Sequence, residues 1–304
     1  DRTVSRGLGD VYKRQNKTST PMTNVLPFKI PKQKNEALLY QEDHAINFYD
    51  KLHQHQEIQI SLILKGKGTI VLGDSISQFK PNDIFVIGSN IAHVFKSDTE
   101  ENEAHTMLSL FFNMDSFGED FFKLNELDTL SSFFEKSNFG IRISSEKEEA
   151  KKCFLKLKHA TKLEKLILFF KILNIISHAQ HEVLASFIYK KIYDDNEGER
   201  MSAIFAYSMK NFAQEIDLNK IAAIAFMTPN SFCRYFKQRT NITYFQFLIK
   251  IRIEHACTLL SSHSDIAVAE IALKSGFKNI SNFNRQFKSI KKLRPLEYKS
   301  IESV

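Results

Sequence analysis

The chain has 304 residues, 43% of them hydrophobic and 25% charged, with a formal net charge of +7. This suggests a globular protein of two or three domains. Cys153, Cys233 and Cys257 lie far apart, which argues against a disulfide framework or a zinc knuckle and for the reducing cytoplasm. The most apolar run, Leu166 to Phe170, is too short to span a bilayer, and the first residues lack the apolar core of a signal peptide, so no membrane partner is expected.

Residues 1–21 mix Arg2, Arg6, Lys13, Arg14 and Lys17 with Gly and Ser, show no periodicity and read as a disordered leader. Met22 would serve as a native start, making the leader an extension foreign to the protein. Residues 22–115 then read as strands. Gln56 to Leu64 begins with alternation and ends as an apolar run. Thr69–Leu72, Ile84–Ile87 and Leu108–Phe112 follow, separated by the turn residues Gly66-Lys67-Gly68, Gly73-Asp74 and Pro81-Asn82-Asp83. Short strands so punctuated predict a small all-β barrel or jelly roll.

Residues 116–195 read as a helical linker or dimerisation segment. Phe117 to Phe134 is weakly periodic. From Lys147 to Ala179, Phe154, Leu157, Thr161, Leu163, Ile167, Phe170, Leu173 and Ile176 recur at helical spacing, with a break near Thr161. The lysines between them form a solvated face opposite a packing or dimerisation stripe. Asp194 to Glu199 is acidic, polar and glycine-containing, the composition of a domain linker.

Residues 199–304 are helical almost to the end and carry one layout twice. Leu218 to Lys237 and Ala269 to Lys288 each hold a short helix with an Ile-Ala pair (Ile221-Ala222, Ile271-Ala272), then a capping residue (Thr228, Asn279). Each ends in a second helix with inward phenylalanines at i and i+4, Phe232 and Phe236, then Phe283 and Phe287. This is the helix-turn-helix design for the DNA major groove. Tyr244 to Leu260 lies between the two, with Phe245, Leu248, Ile251, His255 or Ala256, and Leu259 along one apolar face. One helix there would hold two reading heads rigidly apart. This segment has 16 Lys and Arg against 8 Asp and Glu, which leaves the rest of the chain at −1. A basic domain beside a neutral one is the charge layout expected when only one part meets phosphate.

Several elements together resemble the AraC/XylS family of bacterial transcription regulators. They are Ile221-Ala222, Phe232 to Lys237, Arg252-x-x-x-Ala256-x-x-Leu259-Leu260, Ile271-Ala272-x-x-x-Gly276-Phe277, Phe283-x-Arg285-x-Phe287-Lys288 and Pro295-x-x-Tyr298. The resemblance covers the C-terminal segment. It implies a seven-helix domain that places two reading helices in successive major grooves. It further implies Asn230, Cys233, Arg234, Ser281, Asn282, Asn284 and Arg285 as base-facing residues, since Arg can grip guanine and Asn adenine bidentately. Lys237, Arg239, Lys278 and Lys288 are the expected phosphate contacts. Asn241 stands where the family has Gly, a mild change because Asn tolerates a left-handed cap. Lys292-Leu293-Arg294-Pro295 stands where the family has Gly then Ser or Thr-Pro, which puts the turn after the second reading helix in question.

His53-Gln54-His55 on a strand would put both rings on one face. With Glu57, and with His93 and His105 further on, such a set could ligate a metal. The layout resembles the cupin domain that often precedes the reading heads in this family, through His53-x-His55, Gly66-Lys67-Gly68, Phe79-x-Pro81-x-Asp83 and His93. Metal-binding cupins usually carry a Glu four residues after the second His, where this chain has Gln59. The resemblance therefore implies an effector pocket holding His53, His55, Glu57 and His93, with no metal and no cofactor.

No glycine-rich phosphate loop and no nucleophile–base pattern occurs, so no catalytic residue is assigned and no enzyme is expected. The fold class is α+β, a cupin-like β-barrel followed by an all-α domain with two helix-turn-helix motifs. The function expected is a sequence-specific, DNA-binding transcription regulator controlled by a small-molecule effector. Its expected partners are double-stranded DNA, that effector, a second copy of the chain and RNA polymerase. The alternative is a cupin metalloenzyme with an accessory helical domain.

Overall fold

The computed structural model describes residues 30, 36–98, 103–188, 195–262 and 266–302. The leader at 1–21 and Met22 lie outside the described residues. The N-terminal strands are β1 (Leu38–Ala45), β2 (Ile58–Lys65), β3 (Gly68–Leu72), β4 (Ser75–Phe79), β5 (Ile84–Ile87), β6 (His93–Ser97) and β7 (His105–Phe112). Two further strands, β8 (Ile141–Ile143) and β9 (His181–Val183), lie in the stretch expected to be helical. They form a six-stranded antiparallel sheet, β1-β7-β2-β5-β8-β9, and a three-stranded one, β4-β3-β6.

The alternation of side chains along β2 explains why two layers form on this sheet. Ile58, Ile60 and Leu62 point to one face and join Ile84, Val86, Leu108, Leu110 and Phe112 in one core. Ile63 points to the other face and joins Ile70, Phe79, Phe85 and Phe95 between the two sheets. Gln59 and Ser61 share that inner face and are also buried. The turn between β2 and β3 needs glycine at Gly66, where φ is +96° and a Cβ would stand 2.0 Å from the His105 ring.

Helices α1 (Asp128–Ser137), α2 (Lys147–Leu157) and α3 (Lys162–His178) cover the outer face of the large sheet. The break falls at Thr161, which caps α3: its hydroxyl accepts from the Glu164 amide while the Glu164 carboxylate accepts from the Thr161 amide at 2.7 Å. Within the segment 116–195, Phe117 to Ala179 therefore packs into the N-terminal core, and residues 189–194 lie outside the described residues. A β-sheet face this apolar must be covered, and the nearest amphipathic chain covers it. The stripe also shifts from its expected position. Phe169, Ile172, Leu173 and Ile176 are buried, whereas Leu163 and Ile167 are 67% and 59% exposed.

The C-terminal part consists of seven helices among the described residues. They are α4 (Asp195–Asn211), α5 (Leu218–Ile224), α6 (Pro229–Thr240), α7 (Tyr244–Ser262), α8 (Val268–Lys274), α9 (Ile280–Lys291) and α10 (Pro295–Glu302). Residues 195–199, expected to be linker, form the first turn of α4. Helix α4 buries Met201, Ile204 and Phe205 in one cluster with Leu52, Val71, Ile76 and Val94 of the sheet domain. That apolar contact is what a flexible linker would forgo.

The two repeated units close in the same way. Helix α6 starts at the cap Thr228 with Pro229 in its first turn, and α9 starts at Asn279, whose side chain accepts from the amides of Ser281 and Asn282. Both end on a left-handed residue: Asn241 at φ +59° donates its amide to the Lys237 carbonyl, and Lys292 at φ +61° donates to Lys288. The turn after the second reading helix is thus present without its glycine. A lysine in this conformation carries a Cβ clash of roughly 1–2 kcal/mol. Replacing Lys292 by Gly is expected to stabilise the protein by about 1 kcal/mol, read as a higher urea midpoint at unchanged slope. Asn241→Gly should gain less, because Asn already tolerates the left-handed region.

Candidate nucleic-acid interface and sensor site

Each reading helix is fixed from behind by phenylalanines. Phe232 and Phe236 are fully buried on α6, and Phe283 and Phe287 on α9. Phe236 meets Tyr244 edge-on at 5.4 Å, and Phe287 meets Tyr298 edge-on at 5.6 Å. With those faces pinned, the helical period turns Asn230, Cys233, Arg234 and Lys237 to the exposed side of α6, and Ser281, Asn284, Arg285 and Lys288 to that of α9. Asn282 is half-buried and accepts from Arg285 Nη2 at 2.9 Å, so these two side chains meet along the surface. Both units hang on α7, whose 19 residues span about 28 Å.

The structure sorts the cations of this domain by use. Arg234, Lys237 and Lys288 form no ion pair among the described residues. Arg239 does not belong with them. Its guanidinium turns inward, ion-paired to Glu197 and lying over the Tyr235 ring at 4.6 Å, with 11% of its side chain exposed. Expected to meet phosphate, it instead ties α6 to α4, because a half-buried carboxylate next to an aromatic face holds a guanidinium better than solvent does. Lys278 is exposed and paired with Glu215 at 2.7 Å, a surface contact that DNA could displace. Arg252, one of the resemblance residues, donates to the carbonyls of Phe212 and Gln214 at 2.8 and 2.9 Å and so anchors the segment after α4. Lys292 and Arg294 are exposed beside the end of α9. The sequence signal for them was the departure from the family turn.

Behind the second unit, Lys291 of α9 pairs with the buried Glu254 of α7 at 2.6 Å. Burial pushes the Glu254 carboxyl up, with Lys291 opposing it. For Lys291, burial pulls down and the Glu254 carboxylate more than offsets it, leaving the ammonium raised. Sequence reading missed this pair, since Glu254 sits in an apolar stretch with nothing to mark its partner.

In the sheet domain, His53, His55 and His93 come together, and their ligand-capable nitrogens lie within 4.8 Å of one another. His53 and His93 exchange backbone hydrogen bonds at 3.0 and 2.8 Å. Each Nδ1 lies at a backbone carbonyl: His53 at Lys51 (2.9 Å), His55 at Glu57 (2.9 Å) and His93 at Ile91 (2.8 Å). Gln59 Oε1 stands 3.1 Å from Nε2 of both His55 and His93. Burial lowers all three imidazoles, His53 to about 4, so they are neutral near pH 7. Glu57 does not join them. Its carboxylate lies 3.8 Å from His55 Nδ1, on the opposite side of the ring from Gln59. His105 is elsewhere, its Nε2 at the Lys67 carbonyl.

Comparison with known proteins gives two domain matches. Residues 35–119 match a family model described as an AraC-like ligand binding domain, and residues 221–301 match one described as a helix-turn-helix domain. The chain is 25% identical over 268 residues to an uncharacterized HTH-type transcriptional regulator, YdeC, of Bacillus subtilis (strain 168), covering 85% of this chain and 89% of that protein. It is 20% identical over 271 residues to an uncharacterized HTH-type transcriptional regulator of Staphylococcus aureus (strain COL), covering 87% of this chain and 34% of that longer protein. Among solved structures, ToxT from Vibrio cholerae O395 matches at a TM-score of 0.37 and 13% identity, covering 88% of this chain and 98% of that one.

Truncating one partner of a buried pair strands the other charge. Lys291→Ala is expected to lower stability by about 3 kcal/mol, and replacing both partners, Glu254→Leu with Lys291→Met, to recover most of that loss. Chemical denaturation of the two variants beside the parent protein measures both.

Proposed function

We propose that the chain is a transcription regulator of the AraC family, with an AraC-like ligand-binding domain ahead of a helix-turn-helix domain, and that it reads promoter DNA through α6 and α9. In this reading Asn230, Cys233 and Arg234, with Ser281, Asn282, Asn284 and Arg285, meet base edges. Lys237, Lys288 and, after release from Glu215, Lys278 meet phosphate; Lys292 and Arg294 add to them. The observation that carries the reading is the pair of reading helices mounted on one helix, each pinned by buried phenylalanines and each presenting cations that form no ion pair among the described residues. The protein acts as a regulator and not as an enzyme, works in the cytoplasm and meets RNA polymerase at the promoter. Its effector acts at the buried histidine cluster of the sheet domain, which adjoins Leu52 and Val94, the residues packed on α4.

A second copy of the chain is the natural partner for the exposed apolar pair Leu163 and Ile167, one turn apart on α3. Ile167→Glu should shift the protein from dimer to monomer in light scattering while leaving its circular dichroism unchanged. An unaltered mass would remove α3 from the dimer contact.

Selection of the full-length protein against random duplexes is expected to enrich one motif with two contacted segments about one helical turn apart. Recovery of no motif would overturn the reading. On the selected site, Arg234→Ala or Arg285→Ala should weaken binding by roughly 1–3 kcal/mol and relax the preference at one position. Lys237→Ala should weaken all sequences alike and reduce the salt slope by about 1, whereas Glu197-paired Arg239 should leave that slope unchanged when replaced by Met.

A further inference from the structure

We propose that Asn282 is the positioning residue for Arg285, holding its guanidinium toward a guanine edge, and that this makes the second reading unit the more stringent of the two. The inference rests on the reading above and gives Asn282 a different share in it. Asn282 acts through Arg285 and does not grip a base by itself.

Each reading helix carries an arginine at the same place, Arg234 on α6 and Arg285 on α9, two residues after the first buried phenylalanine. Three residues before each arginine stands a small polar side chain, Ser231 or Asn282. Residues three apart share a helix face, so such a pair can meet. In the second unit it does, with Asn282 Oδ1 accepting from Arg285 Nη2 at 2.9 Å. In the first unit it does not. The Ser231 hydroxyl accepts from the Thr228 hydroxyl at 3.0 Å, and Arg234 has no hydrogen-bond partner among the described residues. The backbone beneath Asn282 is fixed as well. Asn279 Oδ1 accepts from the Ser281 and Asn282 amides at 2.7 and 3.2 Å, and Phe283 beside them is fully buried. Asn282 is half-buried, so its amide is a fixed point from which the exposed Arg285 is held.

The kind of partner decides what an arginine can do. Arg239 of α6 is paired with the carboxylate of Glu197 and turned inward, which withdraws its charge from the surface. Helix α9 contains no Asp or Glu, so Arg285 is held by a neutral amide instead. A neutral acceptor orients the planar fork and leaves its full positive charge facing outward. The guanidinium has five N–H donors and spends one on Asn282, which leaves enough for a bidentate grip on guanine O6 and N7. A side chain already held loses less rotamer freedom on binding than a loose one. The same Oδ1 is the acceptor that an adenine N6 amino group would need from Asn282, so its engagement with Arg285 makes this residue a support.

The test uses the full chain, the duplex enriched by selection with the parent protein, and the single-base variants of that duplex. Asn282→Ala is expected to weaken binding about threefold to tenfold. It should flatten the preference at the one position that Arg285→Ala also flattens, and leave the salt slope unchanged because no cation is lost. In an Arg285→Ala background the same substitution should cost nothing further, as for two residues acting as one unit. Ser231→Asn should sharpen the preference for guanine at the position read by Arg234, a gain that misfolding cannot imitate. The inference is overturned by an Asn282→Ala protein that binds as tightly as the parent, or by a Ser231→Asn protein with no added preference for guanine. An undiminished loss in the Arg285→Ala background overturns it too, since Asn282 would then touch DNA by itself. In all three outcomes the enriched motif survives and only this inference falls. If the parent protein enriches no motif, the regulator reading falls and takes the inference with it.

Discussion

Packing around α7 sets where every other part of the reading domain can sit. Its first half, through Tyr244, Phe247, Leu248 and Ile251, closes the core of the first unit. Its second half, through Ile253, Ala256, Cys257 and Leu260, closes the core of the second. Lys250 reaches back between them to the Asp74 carbonyl of the sheet domain. A helix buried on so many sides has no single apolar stripe, which is why Phe245, expected inside, is exposed while Ile253 and Glu254 are buried. Because both units share this helix, neither can turn without disturbing the other, and the spacing of the two reading helices is built into the fold.

Charge follows from the same packing. Helices forced together bring some cations inside, and each of those finds an internal partner: Arg239 with Glu197, Lys291 with Glu254, Arg252 with two carbonyls. Buried charges demand such pairing. Other cations, among them Arg234, Lys237, Arg285 and Lys288, stand on the faces that packing left open. The net positive charge of the segment is thus divided between structural and surface uses, and only the surface share can attract DNA over distance.

The sheet domain applies one alternation to two tasks. Every second residue of β2 is apolar and faces the helices, while the inward set changes from Gln59 and Ser61 to Ile63 along the strand. The polar end of that inner face is where the histidines gather, and it abuts the segment that packs on α4. Placing polar groups in the core at only one end concentrates the domain's chemistry next to its contact with the reading helices.

The repeated Ile-Ala pairs, the i, i+4 phenylalanines and the capping residues were legible in order along the chain, and with them the two reading helices and their outward faces. Periods of 3.6 and 2 are local properties, and so are caps, as Thr161, Thr228 and Asn279 demonstrate. Long-range pairing was not legible. The three-residue strands β8 and β9 are too short to carry a period, and the sheet edge defines them. The turn at Lys292 persists because the packing of Phe287 and Tyr298 holds α9 and α10 in place and outweighs a local penalty of about 1 kcal/mol. Sequence alone determined that two reading helices exist and which residues they turn outward. Tertiary structure decided which cations stay at the surface and which histidines meet, because those depend on partners distant in sequence that no local pattern records.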